Sequence, residues 1–477
     1  MGDVPFGFGP DDDNRPGGED SPPGENVPGS GDAGAKSGNQ PVPAGGDPFS
    51  AFFGAGGGAP QDLGAAFQRL GQLLSWQGGP VNWDLARDVA RQAVADAGDR
   101  SVSGAERMEV ADAMRLAELW LDAVTALPAG ATSASAWSRA EWVEATLPAW
   151  KSIVDPVAAK AVESMGAMLG GDSGPMSALG AAPEQLQALL GAAGPLQQMM
   201  TSIGGAMFGS QIGQALGSLA TEVVGSTDVG LPLSPPGKAA LLPQNVTAFG
   251  EGLGVPEDQV RLYLALREAA HHRLFAHVPW LRGHLIDAVS AYARGISIDS
   301  SRLEELVGRI DPANPEAMQE ALAGGLFEPE DTPEQKAALA RLETALALVE
   351  GWVDEVVDTA ATPHLPSAGA LRETVRRRRA SGGPAEATFA SLVGLELRPR
   401  RLREAAALWN AVTAARGIDG RDAIWSHPDL LPTGDDLDSP ADFASGASST
   451  PLDLSGLDDT TAPEDPGAAP GTTDDKT

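Results

Sequence analysis

From residue 62 to about 430, apolar residues recur at intervals of three and four, while alternating β-branched runs are scarce. That pattern predicts a mainly α-helical fold. Helix starts are marked by Ser103-Gly-Ala-Glu106 and Ser138-Arg-Ala-Glu141, both with capping-box spacing, and by Thr332-Pro-Glu-Gln335, which adds proline at the first helical position. Breaks fall at 128–135, 170–175, 225–236, 311–315 and 381–384, where glycine, proline and small polar residues cluster. No unit of 20–50 residues repeats, so a solenoid is not expected. The reading is one helical domain over 62–435, with a helical subregion over 62–170 ahead of a site-bearing half.

The periodicity disappears at both ends. Residues 1–60 are rich in Gly, Pro and Asp, and residues 436–477 in Asp, Ser, Thr, Gly and Pro, so both are expected to be disordered tails. Residues 1–60 and 431–477 together carry −17 of the formal net charge of −32. The remainder is still acidic, which argues against a nucleic-acid or anionic-membrane surface as the main function. There is no cysteine, which removes disulfides, thiolate nucleophiles and cysteine-ligated metals together. The opening MGDVPFGFGPDDD has neither the basic segment nor the apolar stretch of a signal peptide, and a cytoplasmic location is expected.

The stretch from Gln185 to Thr221 has no charged side chain and spaces Gly205, Gly209, Gly213 and Gly217 four apart. In lipid its six glutamines would need partners, so the prediction is an internal helix that another backbone approaches closely, with no membrane span.

Candidate chemistry concentrates in VPEDQVRLYLALREAAHHRLFAHVPWL, residues 255–281. Winding this segment as a helix puts Val260, Tyr263, Leu264, Arg267, His271, Leu274 and Phe275 on one side. Glu268 falls at the edge of that stripe and His272 toward the outer face. Arg267 and His271 therefore sit mid-stripe, where an unpaired charge costs several kcal/mol, on the order of a lost buried ion pair. A second periodic segment, Pro333 to Ala361, tilts Glu350 into its own apolar face and offers a partner.

On these residues the chain resembles the actinobacterial zincin-like family of zinc-dependent metalloproteases or hydrolases. GSQIGQALGSLATEVVGSTDVGLP (209–232), LLPQNVTAF (241–249), the LREAAH helix, LVEGWVDEV (348–356) and the stretch 391–433 occur in that family's order. The resemblance implies a helical zincin in which HExxH supplies two histidine ligands and a water-activating glutamate. A downstream glutamate in an EGH-type segment is then the third ligand, and peptides or proteins are the substrates.

Carried over to this chain, Glu268 is the general base, and His271 and Glu350 are metal ligands. Arg267 stands at the first histidine position, and Trp352 stands where some relatives have histidine. Two readings stay open. In one, His271 and Glu350 hold zinc, with His272, His277 or Asp354 as a third ligand. In the other, Arg267 replaces the metal's charge and pairs with Glu268 or Glu350 in a metal-free binding or scaffolding protein.

One further feature is the basic run Arg372, Arg376 to Arg379, Arg398, Arg400, Arg401 and Arg403. It is expected to pair with the protein's own acidic tails or to hold an anionic ligand or partner, since no aromatic residues interleave with it to bind nucleic acid.

Overall fold

In the computed structural model the described residues are 78–170, 194–294, 332–380 and 401–446. The expected tail at 1–60 and the part of the expected tail 436–477 beyond 446 lie outside the described residues, as do the predicted breaks at 311–315 and 381–384 and all but residue 170 of the break at 170–175. Twelve α-helices, two 3-10 turns (Ala423–Ser426 and Pro428–Leu430) and two short strands make up the regular structure of the described residues.

In chain order these are α1 (Trp83–Asp96), α2 (Gly104–Leu121), β1 (Ser133–Ala136), α3 (Arg139–Gly170), α4 (Gly194–Ala220), β2 (Lys238–Leu241), α5 (Pro243–Gly250) and α6 (Glu257–His277). They are followed by α7 (Pro279–Arg294), α8 (Pro333–Ala361), α9 (Ala368–Ala380), α10 (Leu402–Asp422), α11 (Gly434–Asp438) and α12 (Pro440–Ser445). The predicted start signals act as read. Ser103 and Thr332 form reciprocal capping boxes with Glu106 and Gln335. Ser138 and Glu141 exchange the same pair of bonds at the start of α3.

The glycine spacing in α4 also acts as read, because it lets α1 lie directly against that helix. A Cβ on Gly209 would come within 2.5 Å of the Asn82 carbonyl oxygen, and one on Gly213 within 2.5 Å of the Ala86 carbonyl oxygen. No helix among the described residues is long and apolar enough to cross a membrane.

Two departures from the sequence reading matter. The expected break at 128–135 contains a strand. β1 pairs in parallel with β2, Ser133 opposite Lys238 through Ala136 opposite Leu241. The free side of β2 is taken by the turn after α4, through Ser226 N–H to the Ala240 carbonyl and Leu242 N–H to the Val224 carbonyl. Secondly, the folded chain runs past 435: α11 and α12 bury Leu437 and Ala444 and pack on α10. The Asp-rich composition hid them, because each of these short helices fully buries a single apolar residue.

α6 is the central element, surrounded by α2, α8, α5, α9 and β2. Every residue from Tyr263 to Leu274 is buried, including Glu268, His272 and Arg273. The outer face expected for His272 does not exist. Periodicity finds only the apolar side of such a helix; its polar side is equally enclosed and is satisfied by ion pairs and hydrogen bonds. Arg273, for example, donates to Glu118, Asp122 and the Leu127 carbonyl.

Candidate functional site

Two carboxylates organise the interior around α6, and they face different ways. Glu350, on α8, points at α6 and accepts at both oxygens. Arg267 Nη2 donates to its Oε2 at 2.6 Å, and Arg379 Nη2, from α9, donates to its Oε1 at 2.8 Å. His271 Nε2 lies 3.2 Å from the same Oε1, while His271 Nδ1 lies 2.8 Å from the Arg267 carbonyl oxygen. Both ring nitrogens therefore face oxygen atoms that can accept.

Burial alone would push the Glu350 carboxyl up. Arg379, His271 and Arg267 outweigh burial and hold it well below the usual carboxylate range. Arg267 shows the complementary balance: burial pulls its guanidinium down, and Glu350 chiefly pushes it above its ordinary value.

Glu268 points the other way, into the turn GSTDVG at 225–230. Its carboxylate accepts from the Ser226 and Thr227 backbone N–H groups at 3.2 and 3.1 Å, and from the Ala240 N–H at 3.2 Å. Both hydroxyls of the turn also donate to it, Thr227 Oγ1 at 2.6 Å and Ser226 Oγ in a shorter contact. His272 Nε2 sits 3.2 Å away. Burial would raise this carboxyl, but His272, then Ser226 and Thr227, bring it down to about 2. A carboxylate held by five turn and strand donors locks α6 to β2 and leaves no free lone pair aimed at a substrate.

The same turn reaches the Glu350 side. Asp228 accepts from Val224 N–H and pairs with Arg378 at 3.2 Å and Arg379 at 3.7 Å. Gly230 has φ +81°, and a Cβ there would stand 2.9 Å from Glu350 Oε1. Gly230→Ala is therefore expected to lose about 1–2 kcal/mol in denaturant unfolding, from left-handed strain and the push on Glu350. Gly252→Ala, at φ +75° in open space, measures the strain alone. Equal losses at the two positions would show that the turn does not press on the carboxylate.

The remaining sequence candidates disperse. Asp354 is held by Arg372 and Arg376, with 2.6 Å contacts from each. Trp352 is on another side of α8, donating to Asp422 at 2.9 Å. His277 lies at the far end of α6, 3.4 Å from the Ala129 carbonyl. The arginines of α9 spend themselves on Asp354, Asp358, Asp228 and Glu350, while Arg377 and Arg403 meet at Glu373. Arg401 binds the Gly434 carbonyl and Asp438. The described part of the basic run is thus paired within the chain; Arg398 and Arg400 lie outside the described residues.

The donor set does not fit a zinc centre. Only His271 and Glu350 converge, a guanidinium fills the position of the first ligand, and Glu350 is already doubly engaged. No group of three His, Asp or Glu side chains among the described residues could hold a metal ion.

Sequence reasoning found Arg267, His271 and Glu350 but missed Asp228, Arg379 and the turn that receives Glu268. A signal did exist, since glycines bracket Ser, Thr and Asp in 225–230.

The fold resembles a crystal structure from Chloroflexus aurantiacus described as a "putative hydrolase with a novel fold". The TM-score is 0.54 at 20% identity, covering 77% of this chain and 99% of that one. No curated protein matches the sequence. The sequence profile of the zincin-like metallopeptidases matches residues 81–444, most of the chain and all of the site-bearing helices, and the protein belongs to that family.

Proposed function

We propose that this protein is a metal-independent member of its family, a binding or scaffolding module in which Arg267 supplies the positive charge that zinc supplies in a zincin. The observation that carries this reading is the 2.6 Å contact from Arg267 Nη2 to Glu350 Oε2 inside a closed core. A guanidinium does not deprotonate at neutral pH, so a cation entering beside His271 would meet a fixed positive charge.

Two further features support it. Arg379 adds a second positive charge at the same carboxylate. Glu268, brought down to about 2 and fully hydrogen-bonded, is a poor general base, since efficient bases sit near the working pH. The family's chemistry makes a polypeptide the partner class of such a module, and the absence of cysteine agrees with a cytoplasmic setting.

Zinc titration of the wild type and Arg267→His tests the reading. The wild type is expected to bind zinc weakly or not at all, and Arg267→His to gain at least tenfold in affinity by supplying a third ligand. Because Arg379 still competes for Glu350, the gain should grow when Arg379→Gln is added. Purified wild type carrying one zinc per chain, with peptidase activity that Glu268→Gln abolishes, would instead establish the zinc peptidase, with His271 and Glu350 at the metal.

A further inference from the structure

Helix α2 carries two rows of residues on opposite sides, and the fold covers one of them. Val110, Met114, Ala117 and Leu121, spaced four, three and four, are all buried, with α2 packed on α6 and β1. Half a turn around the helix, Met108, Asp112, Arg115 and Leu119 repeat the same spacing. All four of these are exposed, Met108 to 65% and Leu119 to 66%. Leu116, at 38%, borders the row.

Three of the six large apolar side chains exposed among the described residues are therefore on this one helix. Single exposed apolar residues are ordinary on a protein surface. A row at the spacing of a helix–helix seam is not.

The order of residues within the row says what fits it. Met and Leu stand at its ends, an acid and a base between them. A second copy of the helix laid antiparallel, about a two-fold axis passing between residues 113 and 114, presents that order reversed. Met108 then meets the partner's Leu119, and Asp112 meets the partner's Arg115, each contact occurring twice. Within one chain Asp112 and Arg115 already touch across one turn. Such an exposed pair contributes little alone. In the two-fold arrangement the same residues make four alternating charges with no net charge. A parallel copy would set acid against acid and base against base, so charge selects the antiparallel one.

We propose that α2 is a dimerisation face, on which a second copy of this chain docks antiparallel through Met108, Asp112, Arg115 and Leu119. One helix of 18 residues from each partner makes a contact at the low end of specific interfaces, so the dimer is weak and concentration-dependent. The inference goes beyond the metal-free reading and does not depend on it, since the row lies on the side of α2 opposite its buried residues.

The test is sedimentation velocity of the full-length chain from about 1 to about 300 µM, a range that spans weak self-association. The wild type should shift from monomer to dimer within it. Leu119→Glu, at a position exposed enough to leave the fold and Tm unchanged, should weaken the association roughly tenfold or more. Asp112→Arg and Arg115→Asp should each be monomeric alone, because each sets four like charges together. Mixed in equal amounts they should associate, because each supplies the charge that the other lacks. A wild type that stays monomeric throughout would overturn the proposal, leaving the face to solvent or to another protein. A dimer that Leu119→Glu leaves unchanged would overturn it too, as would a mixture that associates no better than its components.

Discussion

Glu350→Ala, measured by denaturant unfolding in the presence of a chelator, is expected to destabilise the protein by about 3–5 kcal/mol, the range for removing one partner of a buried ion pair. The size follows from what remains. Arg267 would keep its charge in a core where, among the described residues, Glu350 alone forms an ion pair with it, and Arg379 would fall back on Asp228 at 3.7 Å. The chelator matters, because a metal ligand's loss appears in the holo protein and largely vanishes without metal, whereas an ion-pair partner's loss persists.

A double-mutant cycle with Arg267→Met and Glu350→Leu sharpens the point. Glu350→Leu strands Arg267, whereas Arg267→Met leaves Glu350 with Arg379 and His271; the double substitution removes the stranded guanidinium and should recover part of the loss, with a coupling energy above about 1 kcal/mol. A loss below about 1 kcal/mol for Glu350→Ala in chelator would mean that the contact contributes little. The metal-free account of the site would then lose its energetic basis.

How much of this could be read beforehand differs from residue to residue. Arg267 and His271 were legible because a helix imposes its own geometry: residues four apart share a face, and neighbouring apolar residues mark that face as buried. Glu350 was legible for the same reason on α8. The α4 glycines were legible because four-residue spacing of small side chains admits another backbone whatever its identity.

Glu268 was not legible. Its position on the helix could be computed, but its partners come from residues 226, 227 and 240, and only tertiary pairing of the turn with β2 brings those N–H groups to it. The family resemblance could not supply this either, since it carries the residue type at position 268 without the direction in which the carboxylate points. Arg379 shows the same limit. Four consecutive arginines read as partners for the acidic tails or an anion, yet the turn of α9 delivers Arg379 to a carboxylate that is 1% exposed. In both cases the actual partner went unnamed because it is distant in sequence.

The direction of Glu268 also decides what its substitution should do. Glu268→Gln is expected to cost on the order of 3 kcal/mol near neutral pH, the free energy that corresponds to lowering a carboxyl from 4.5 to about 2 on folding. Glutamine keeps the shape but replaces one acceptor oxygen with a donor, which must then face the N–H and O–H groups of the turn.

The pH dependence carries the sign. Because the carboxyl is lowered in the folded state, its contribution is complete above its unfolded value and is lost as pH falls from about 5 through about 2. Wild-type stability should therefore fall steeply over that window, with Glu350, also held low, titrating alongside. Glu268→Gln should start lower and fall less, so that the two curves converge toward acid. A catalytic base would behave otherwise: its amide variant would leave stability and its acid limb in place and remove activity alone. Parallel acid limbs for wild type and Glu268→Gln would return Glu268 to the role that HExxH spacing suggests. Convergence would place its function in fastening α6 to the 225–230 turn and β2, the contact on which the orientation of Arg267 and His271 toward Glu350 depends.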